Sequence, residues 1–347
     1  MPGIPQSVVA ARLVLFLLSC LVLLAPAPLQ AGSPRLLASV HKWRPSDVIR
    51  SPSRFDRRAR ARLLRRLSAK SAVVMDGDTG ELLFARNPDL PRQPASTIKI
   101  LTGLIAIESL RDRDKIFVSR RAARMPRSKV YLEPGKWYWA GDLIDAVLLA
   151  SANDASVALA ERIGGSEREF ARRMTAKARR LGARNTVCRT ASGLTARGQY
   201  STARDLAVMF DRAMRNPEFA RRISRAKRRA GFGKMLVNHN KALWRIRGAV
   251  GGKTGYTRAA RQTYVGKFER NGRSLVVAIM GSESMWDDID RLVRYGFASL
   301  ENRPRRRPPE SVEARLARLR NQLHQEAGLQ PVRVLSAGKK STPKLPL

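Results

Sequence analysis

The sequence predicts an α+β protein: an antiparallel sheet flanked by helices, with a helical subdomain inserted into it. Strand-like stretches with tight turns stand at both ends of the central region, in residues 72–85 and 263–280, while the residues between read mostly at helical spacing. The chain is 347 residues long with 44% hydrophobic residues, enough for a substantial core.

Taken in order, the chain opens on Arg12 and an apolar run, Leu13–Leu24, followed by Ala25-Pro26-Ala27 and Leu29-Gln30-Ala31. This is the layout of a secretory signal peptide, assigned to residues 1–31, and the run is short for a membrane span. Export follows, to a periplasmic or cell-envelope location; an uncleaved leader or a tail contact would add membrane association. Residues 32–70 carry Arg57-Arg58-Ala59-Arg60-Ala61-Arg62 and Arg65-Arg66 and read as a basic, flexible arm. A folded domain is expected over residues 71–302. It begins with strand, tight turn and strand: Ala72–Met75, Asp76–Gly80 and Leu82–Ala85. An apolar helix follows Pro94, then Ala- and Leu-rich helical spacing from Leu143 to Ile163, broken near Ser151–Asp154. Phe170–Leu181 predicts a helix closed by Gly182, and Ala203–Met214 another. Thr263–Phe268 and Ser274–Met280 flank Arg270-Asn271-Gly272, a hairpin signal, and Met285–Leu300 reads as a closing helix. Residues 303–347 turn Pro- and Arg-rich, with Val312, Leu316, Leu319 and Leu323 as a narrow apolar stripe on a basic helix.

Charge bounds the partners. Sixty-seven Lys+Arg against 28 Asp+Glu give a formal net charge of +39, which calls for an anionic partner or surroundings. Export, and the lack of basic stretches interleaved with aromatics, count against nucleic acid and for an anionic cell-envelope surface reached by the basic arms. Removing the leader removes Cys20 and leaves Cys188 alone, so no intramolecular disulfide and no multi-cysteine metal site is available. Cys188 reads as a small buried hydrophobe. With three histidines a His-rich metal centre is not expected either.

The candidate chemistry starts at Pro94-Ala95-Ser96-Thr97-Ile98-Lys99. Ser96 and Lys99 stand three apart, on one face at the head of an apolar helix, so hydroxyl and amine can converge. Partial desolvation lowers the lysine pKa and places a base beside a nucleophile, with helix N–H groups near an oxyanion. The same residues would equally serve a capped helix start with a snorkelling lysine. Two further motifs shift that balance: Ser151-Ala152-Asn153 at a helix interruption, and Lys253-Thr254-Gly255 after Gly251-Gly252, where glycine permits close backbone approach.

In this order the three motifs match the serine–lysine acyl-transfer set of penicillin-binding proteins and class A β-lactamases. Asp76–Leu83, Ala191-Ser192-Gly193-Leu194 and Tyr200–Ala207 add to the likeness. From about Ala72 to Leu300 the chain resembles the D-alanyl-D-alanine carboxypeptidases, the low-molecular-weight penicillin-binding proteins of the S11 serine peptidase type. The resemblance implies the β-lactamase/penicillin-binding-protein-like transpeptidase fold. It implies a penicillin-sensitive enzyme that removes the terminal D-Ala of peptidoglycan stem peptides, with β-lactam antibiotics as acylating inhibitors and no metal or organic cofactor. Ser96 would be the nucleophile, Lys99 its base and Ser151 a proton relay. Asn153 would hold the substrate amide, Lys253 and Thr254 the terminal carboxylate, and the backbone of Ser96 and of Tyr256, beside Gly255, the oxyanion.

Several positions depart from the family pattern. Ala260-Arg261 replaces a small-residue pair, Val250-Gly251-Gly252 lacks an acid, and His239 stands where relatives often carry a carboxylate-gripping arginine. His239 would do that only when protonated, or else serve as a structural loop residue. By family analogy the run Arg221–Arg229 would lie near the substrate groove, holding peptide or acidic polymer, or be a solvated face. The 45 or so residues after Arg303 are too few for the further β-rich domain of many relatives. Cleavage of crosslinks by a D,D-endopeptidase and a catalytically idle, basic wall-binding protein are the alternatives. A β-lactamase fits less well, because Ala152 replaces the Asp of its second motif and no Glu-x-x-Leu-Asn pattern follows.

Overall fold

A computed structural model of the chain describes residues 54–301. The leader, the arm up to residue 53 and the stripe in the tail lie outside the described residues. In chain order the elements are helix α1 (Arg54–Arg66), strands β1 (Ser71–Asp76) and β2 (Leu82–Arg86), a 3₁₀ turn (Ala95–Ile98) running into α2 (Lys99–Ser109), and β3 (Lys115–Phe117). Next come α3 (Arg120–Ala123), β4 (Trp137–Trp139), α4 (Ala140–Leu148), α5 (Asn153–Gly164), α6 (Glu167–Arg180), α7 (Ala203–Met214) and α8 (Pro217–Ile223). The last are β5 (Lys227–Arg229), β6 (Met235–Val237), α9 (Ala242–Arg245), β7 (Ala249–Thr257), β8 (Arg261–Arg270), β9 (Arg273–Ser282) and α10 (Met285–Glu301).

Five strands form one antiparallel sheet in the order β2-β1-β9-β8-β7. The first two and last three strands of that sheet are separated in sequence by the helical region, so the α+β reading holds. Side chains alternate across it: Val73 and Met75 pack with α2, α4, α5 and α7, whereas Ala72, Val74, Leu275 and Val277 pack with α10. The predicted hairpin is sharp, with Asn271 and Gly272 both at positive φ (50° and 67°), as a two-residue turn between twisted strands requires. Sheet order leaves β7, the strand of Lys253-Thr254-Gly255, at an edge.

The arm reading is corrected in its last part. Arg54–Arg66 is a helix whose Leu63, with Leu67 just beyond it, is buried against the α10 side of the sheet. Residues 68–69 are then held by Asp288, whose buried carboxylate accepts from the N–H of Ser68 (3.0 Å) and Ala69 (2.8 Å) and the hydroxyls of Ser68 (2.6 Å) and Ser282 (2.7 Å). The folded domain therefore starts before residue 71. Two leucines four apart suffice to bind a helix whose other face is arginine.

Candidate active site

Ser96 lies in the 3₁₀ turn that leads into α2, and Lys99 is the first residue of α2 itself. The turn is entered through Ala95 at φ 50°, a left-handed conformation that alanine adopts at a cost of about 1 kcal/mol or more. Neighbouring chain holds it there. Thr263 Oγ1 on β8 donates to the Pro94 carbonyl (3.0 Å), and Gly193 presses so close that a Cβ would lie 2.0 Å from the Ala95 oxygen.

Lys99 is fully buried rather than partly desolvated. Its Nζ lies 2.9 Å from Ser96 Oγ, 2.7 Å from Asn153 Oδ1 and 2.6 Å from the Ser192 carbonyl oxygen. Burial, and then the positive charge of Lys253, push its pKa well below the ordinary lysine value, with Asp154 opposing weakly. A neutral amine has two N–H bonds and one lone pair. Asn153 and Ser192 are acceptors only at those atoms, so the two N–H groups go to them and the lone pair faces the Ser96 hydroxyl. This is the geometry of a base set to take the serine proton.

Ser151 and Asn153 sit in the break between α4 and α5, as the interruption in the helical pattern predicts. Ser151 takes a left-handed φ of 58°. Asn153 also donates from Nδ2 to the carbonyls of Pro126 and Arg127 (both 3.0 Å), and its N–H to Ser128 O (2.7 Å). Asp154, fully buried, accepts from the N–H groups of Val130 and Leu132. The first turn of α5 thus fastens the 126–132 segment that forms one wall of the cleft.

Lys253 comes from β7, is buried, and donates to Ser151 Oγ (2.8 Å) and to the Thr254 carbonyl (3.0 Å). Burial alone lowers its pKa to about 7. The two lysines share one desolvated site, and burial lowers the pKa of both, so neither holds a proton there as readily as in water. Gly255 lets β7 approach the nucleophile: a Cβ there would lie 2.8 Å from the Ser96 backbone N and 3.0 Å from that of Thr97. Ser96, Ser151, Asn153, Thr254, Gly255, Tyr256 and His239 all line one cleft of about 420 Å³, completed by Leu194, Met285, Trp286, Arg127 and others. Every candidate residue is brought to this cleft, with Lys99 and Lys253 beneath its floor. A serine hydroxyl, an amine with a depressed pKa beside it, a second buried amine and an edge strand in one cleft are groups that can together perform acyl transfer.

The comparisons with known proteins agree with this chemistry. The sequence profile of the D-alanyl-D-alanine carboxypeptidase family matches residues 57–284. The chain belongs to that family. It is 40% identical over 243 residues to D-alanyl-D-alanine carboxypeptidase DacB2 of Mycobacterium tuberculosis, covering 66% of this chain and 82% of that one. It is 33% identical to D-alanyl-D-alanine carboxypeptidase DacF of Bacillus subtilis, covering 68% of this chain and 64% of the relative's length. Among solved structures, a D-alanyl-D-alanine carboxypeptidase from Mycobacterium tuberculosis H37Rv superposes with a TM-score of 0.63 at 38% identity, over 67% of this chain and 91% of that one. Penicillin-binding protein D2 of Listeria monocytogenes, in its ampicillin-bound form, gives 0.62 at 29%, over 67% and 98%. The fold is that of the penicillin-binding proteins, and the enzyme is a serine peptidase of the carboxypeptidase type.

For this carboxypeptidase the Arg221–Arg229 reading is corrected, while His239, left open between a protonated grip and a structural role, lines the cleft. Burial, and then the positive charge of Lys253, hold His239 down at about 4, which favours a neutral imidazole at physiological pH. The Arg221–Arg229 run neither lines the Ser96 cleft nor forms a solvated face throughout. Arg222 is buried and bonds Asp145 (2.9 Å), Asp112 (2.5 Å), Glu218 (2.5 Å) and the Gly141 carbonyl (2.9 Å). Arg225 and Arg228 also reach Asp145, at 3.2 and 2.9 Å. Much of the run neutralises α4 carboxylates. Cys188 is buried, its thiol pushed up to about 12.

The Ser192 carbonyl was not singled out by residue type, because a backbone acceptor carries no signature. Only the glycine after it marks the tight approach. Arg127, Met285 and Trp286 likewise enter the cleft without a motif.

Proposed function

We propose that Ser96 is the acylated nucleophile of a D-Ala-D-Ala carboxypeptidase acting on peptidoglycan stem peptides. The terminal carboxylate binds at Lys253 and Thr254, where a cation and a hydroxyl meet it. Lys99 takes the Ser96 proton as Oγ bonds to the carbonyl carbon of the penultimate D-Ala. The N–H groups of Ser96 and Tyr256 receive the developing oxyanion. As the C–N bond breaks, the proton on Lys99 passes through Ser151 to the leaving amine, releasing D-Ala. Lys99, neutral again, takes a proton from the water that cleaves the ester. The single observation supporting this most is the triple contact of a fully buried Lys99 with Ser96, Asn153 and Ser192.

β-Lactams follow as inhibitors, since a strained cyclic amide would acylate the same serine, and a solved relative is described with ampicillin bound. The leader-like start supports export to the cell envelope, and the charge of +39 supports attraction to anionic polymer there. Among the described residues no helix is long and apolar enough to cross a membrane.

Fluorescent penicillin labelling of the wild type beside Ser96→Ala tests the assignment, followed by D-Ala release from a pentapeptide and from a crosslinked dimer. Labelling lost in the variant, with faster release from the pentapeptide, is expected. Faster cleavage of the dimer would make the enzyme a D,D-endopeptidase. A folded wild type that takes no label would overturn the reading in favour of an idle wall-binding protein.

A further inference from the structure

Among the described residues, six of the nine exposed large apolar side chains stand on β3, β4, β6 and the loop before β4: Phe117, Tyr131, Trp137, Trp139, Met235 and Val237. Their centre is the β3–β4 hairpin, where Phe117 pairs with Trp137 and Lys115 with Trp139. Trp137 is 60% exposed, and its ring meets Phe117 edge-on at 5.3 Å. Lys115 Nζ lies 5.5 Å above the Trp139 ring. The residue between the tryptophans, Tyr138, points the other way and packs edge-on against Phe232 at 5.4 Å, joining this hairpin to the β5–β6 hairpin. Two tryptophans on the outward side of a three-residue strand are not there for the core.

Beside them opens a second cleft, about 800 Å³, lined by Trp139, Asp112, Arg113, Asp142, Arg228 and Arg229 among others. Flat rings at the edge of a cleft bearing carboxylates and guanidiniums suit one ligand class well. A pyranose ring offers an apolar face to stack on indole, and hydroxyl and acetamido groups to bond charged side chains. An anionic lipid surface fits less well at Asp112, whose side chain stays 63% exposed beside Arg222, whereas Asp142 is buried and bonded to Arg228 and the Gly231 N–H.

The placement relative to Ser96 adds a length argument, which rests on the function proposed above. α4 begins at this cleft, with Asp142 in its first turn, and Ser151 follows three residues beyond its end. At 1.5 Å per helical residue that separation is on the order of 15 Å. An extended peptide of about four residues spans nearly the same, roughly 14 Å. The surface between is continuous: Lys234 Nζ lies 4.6 Å over the Tyr131 ring, and Arg127 of the Ser96 cleft donates to the Tyr131 hydroxyl at 2.9 Å.

We propose that the two hairpins form an accessory saccharide-binding site that holds the glycan strand while its stem peptide reaches Ser96. The probe is peptide-free peptidoglycan glycan strand, titrated calorimetrically against the full chain and against Trp137→Ala/Trp139→Ala. The expected result is saturable binding by the wild type and at least tenfold weaker binding by the variant. D-Ala release from glycan-attached stems should fall severalfold relative to release from free peptide. If the double variant does not fold by circular dichroism, Arg229→Glu reads the same cleft from an exposed position and should weaken binding severalfold. Wild type that ignores the strands, or variants that bind them as the wild type does, would overturn the proposal. So would binding to anionic vesicles without binding to glycan, which would make the patch a membrane contact. The titration does not depend on catalysis, so a failure of the carboxypeptidase reading would show separately, as absent penicillin labelling.

Discussion

Replacing Lys253 with methionine should stabilise the protein near neutrality and destabilise it in alkali. Lys253 is buried and its pKa lies at about 7 rather than 10.5. A lysine whose folded pKa is lowered favours unfolding wherever the unfolded chain binds more protons, which here is the window between about 7 and 10.5. Stability contributed by this residue is therefore lost as pH falls through that window, at about 1.4 kcal/mol per pH unit, and the loss levels off below pH 7. At pH 7 the accumulated penalty is about 4 kcal/mol. Methionine is unbranched, fits the slot, and forfeits two hydrogen bonds, to Ser151 and Thr254, each worth about 1 kcal/mol. The net gain is about 2 kcal/mol at pH 7, or about 4–8 °C in Tm for a domain of this size. At pH 10 the penalty has shrunk to about 1 kcal/mol, so the variant is about 1 kcal/mol less stable, with the curves crossing near pH 9. Urea unfolding of both proteins at pH 7, 8, 9 and 10 measures this directly. A difference that does not change with pH, or a Lys253→Met protein less stable at pH 7, would refute the desolvation argument.

Other outcomes follow from the same contacts. Arg222→Met leaves the buried Asp145 with only Arg225 and Arg228, and should cost about 3 kcal/mol, lowering Tm by about 6–12 °C; a shift under 2 °C would contradict the buried network. Gly255→Ala drives a methyl against the Ser96 backbone N, so penicillin acylation should slow about 100-fold in stopped-flow measurement; a change under threefold would place the strand elsewhere. His239→Gln should leave the shape of the pH–kcat/KM profile unchanged between pH 5.5 and 8, because the imidazole titrates at about 4; a limb that vanishes in the variant would show that it titrates higher. Leu67→Ala should cost about 2–3 kcal/mol by chemical denaturation, whereas a flexible arm would register nothing.

What the sequence made legible depended on side-chain type. Ser96 and Lys99 at three-residue spacing, the Ser151 interruption and the glycine-flanked Lys253 each carry chemistry in their identity, and all reach one cleft. Ala203–Met214 forms over the residues expected of it, and the structure adds Thr202 as its cap, accepting from the Asp205 N–H. The failures share a cause. Arg54–Arg66 looked solvated because arginines outnumber the leucine that docks it, and the partner face lies more than 200 residues away on α10. The Arg221–Arg229 run looked like surface because its carboxylate partners, Asp112 and Asp145, lie some 80–110 residues upstream. The depressed pKa of His239 comes from burial first and then from Lys253 of a distant segment, a matter of packing that no local pattern encodes.

The position of β7 has a consequence for selectivity. Among the described residues the sheet ends on this strand, so along the cleft its outer row of peptide groups has no sixth strand beside it. A peptide lying there would complete the sheet, matched N–H to C=O by main chain alone. Recognition of that sort is blind to most side chains upstream of the bond being cut, and sensitive to backbone direction and to chirality at the last two residues. The enzyme would then accept stems of varied composition, while any compact amide that imitates the end of an added strand would be drawn into the same place.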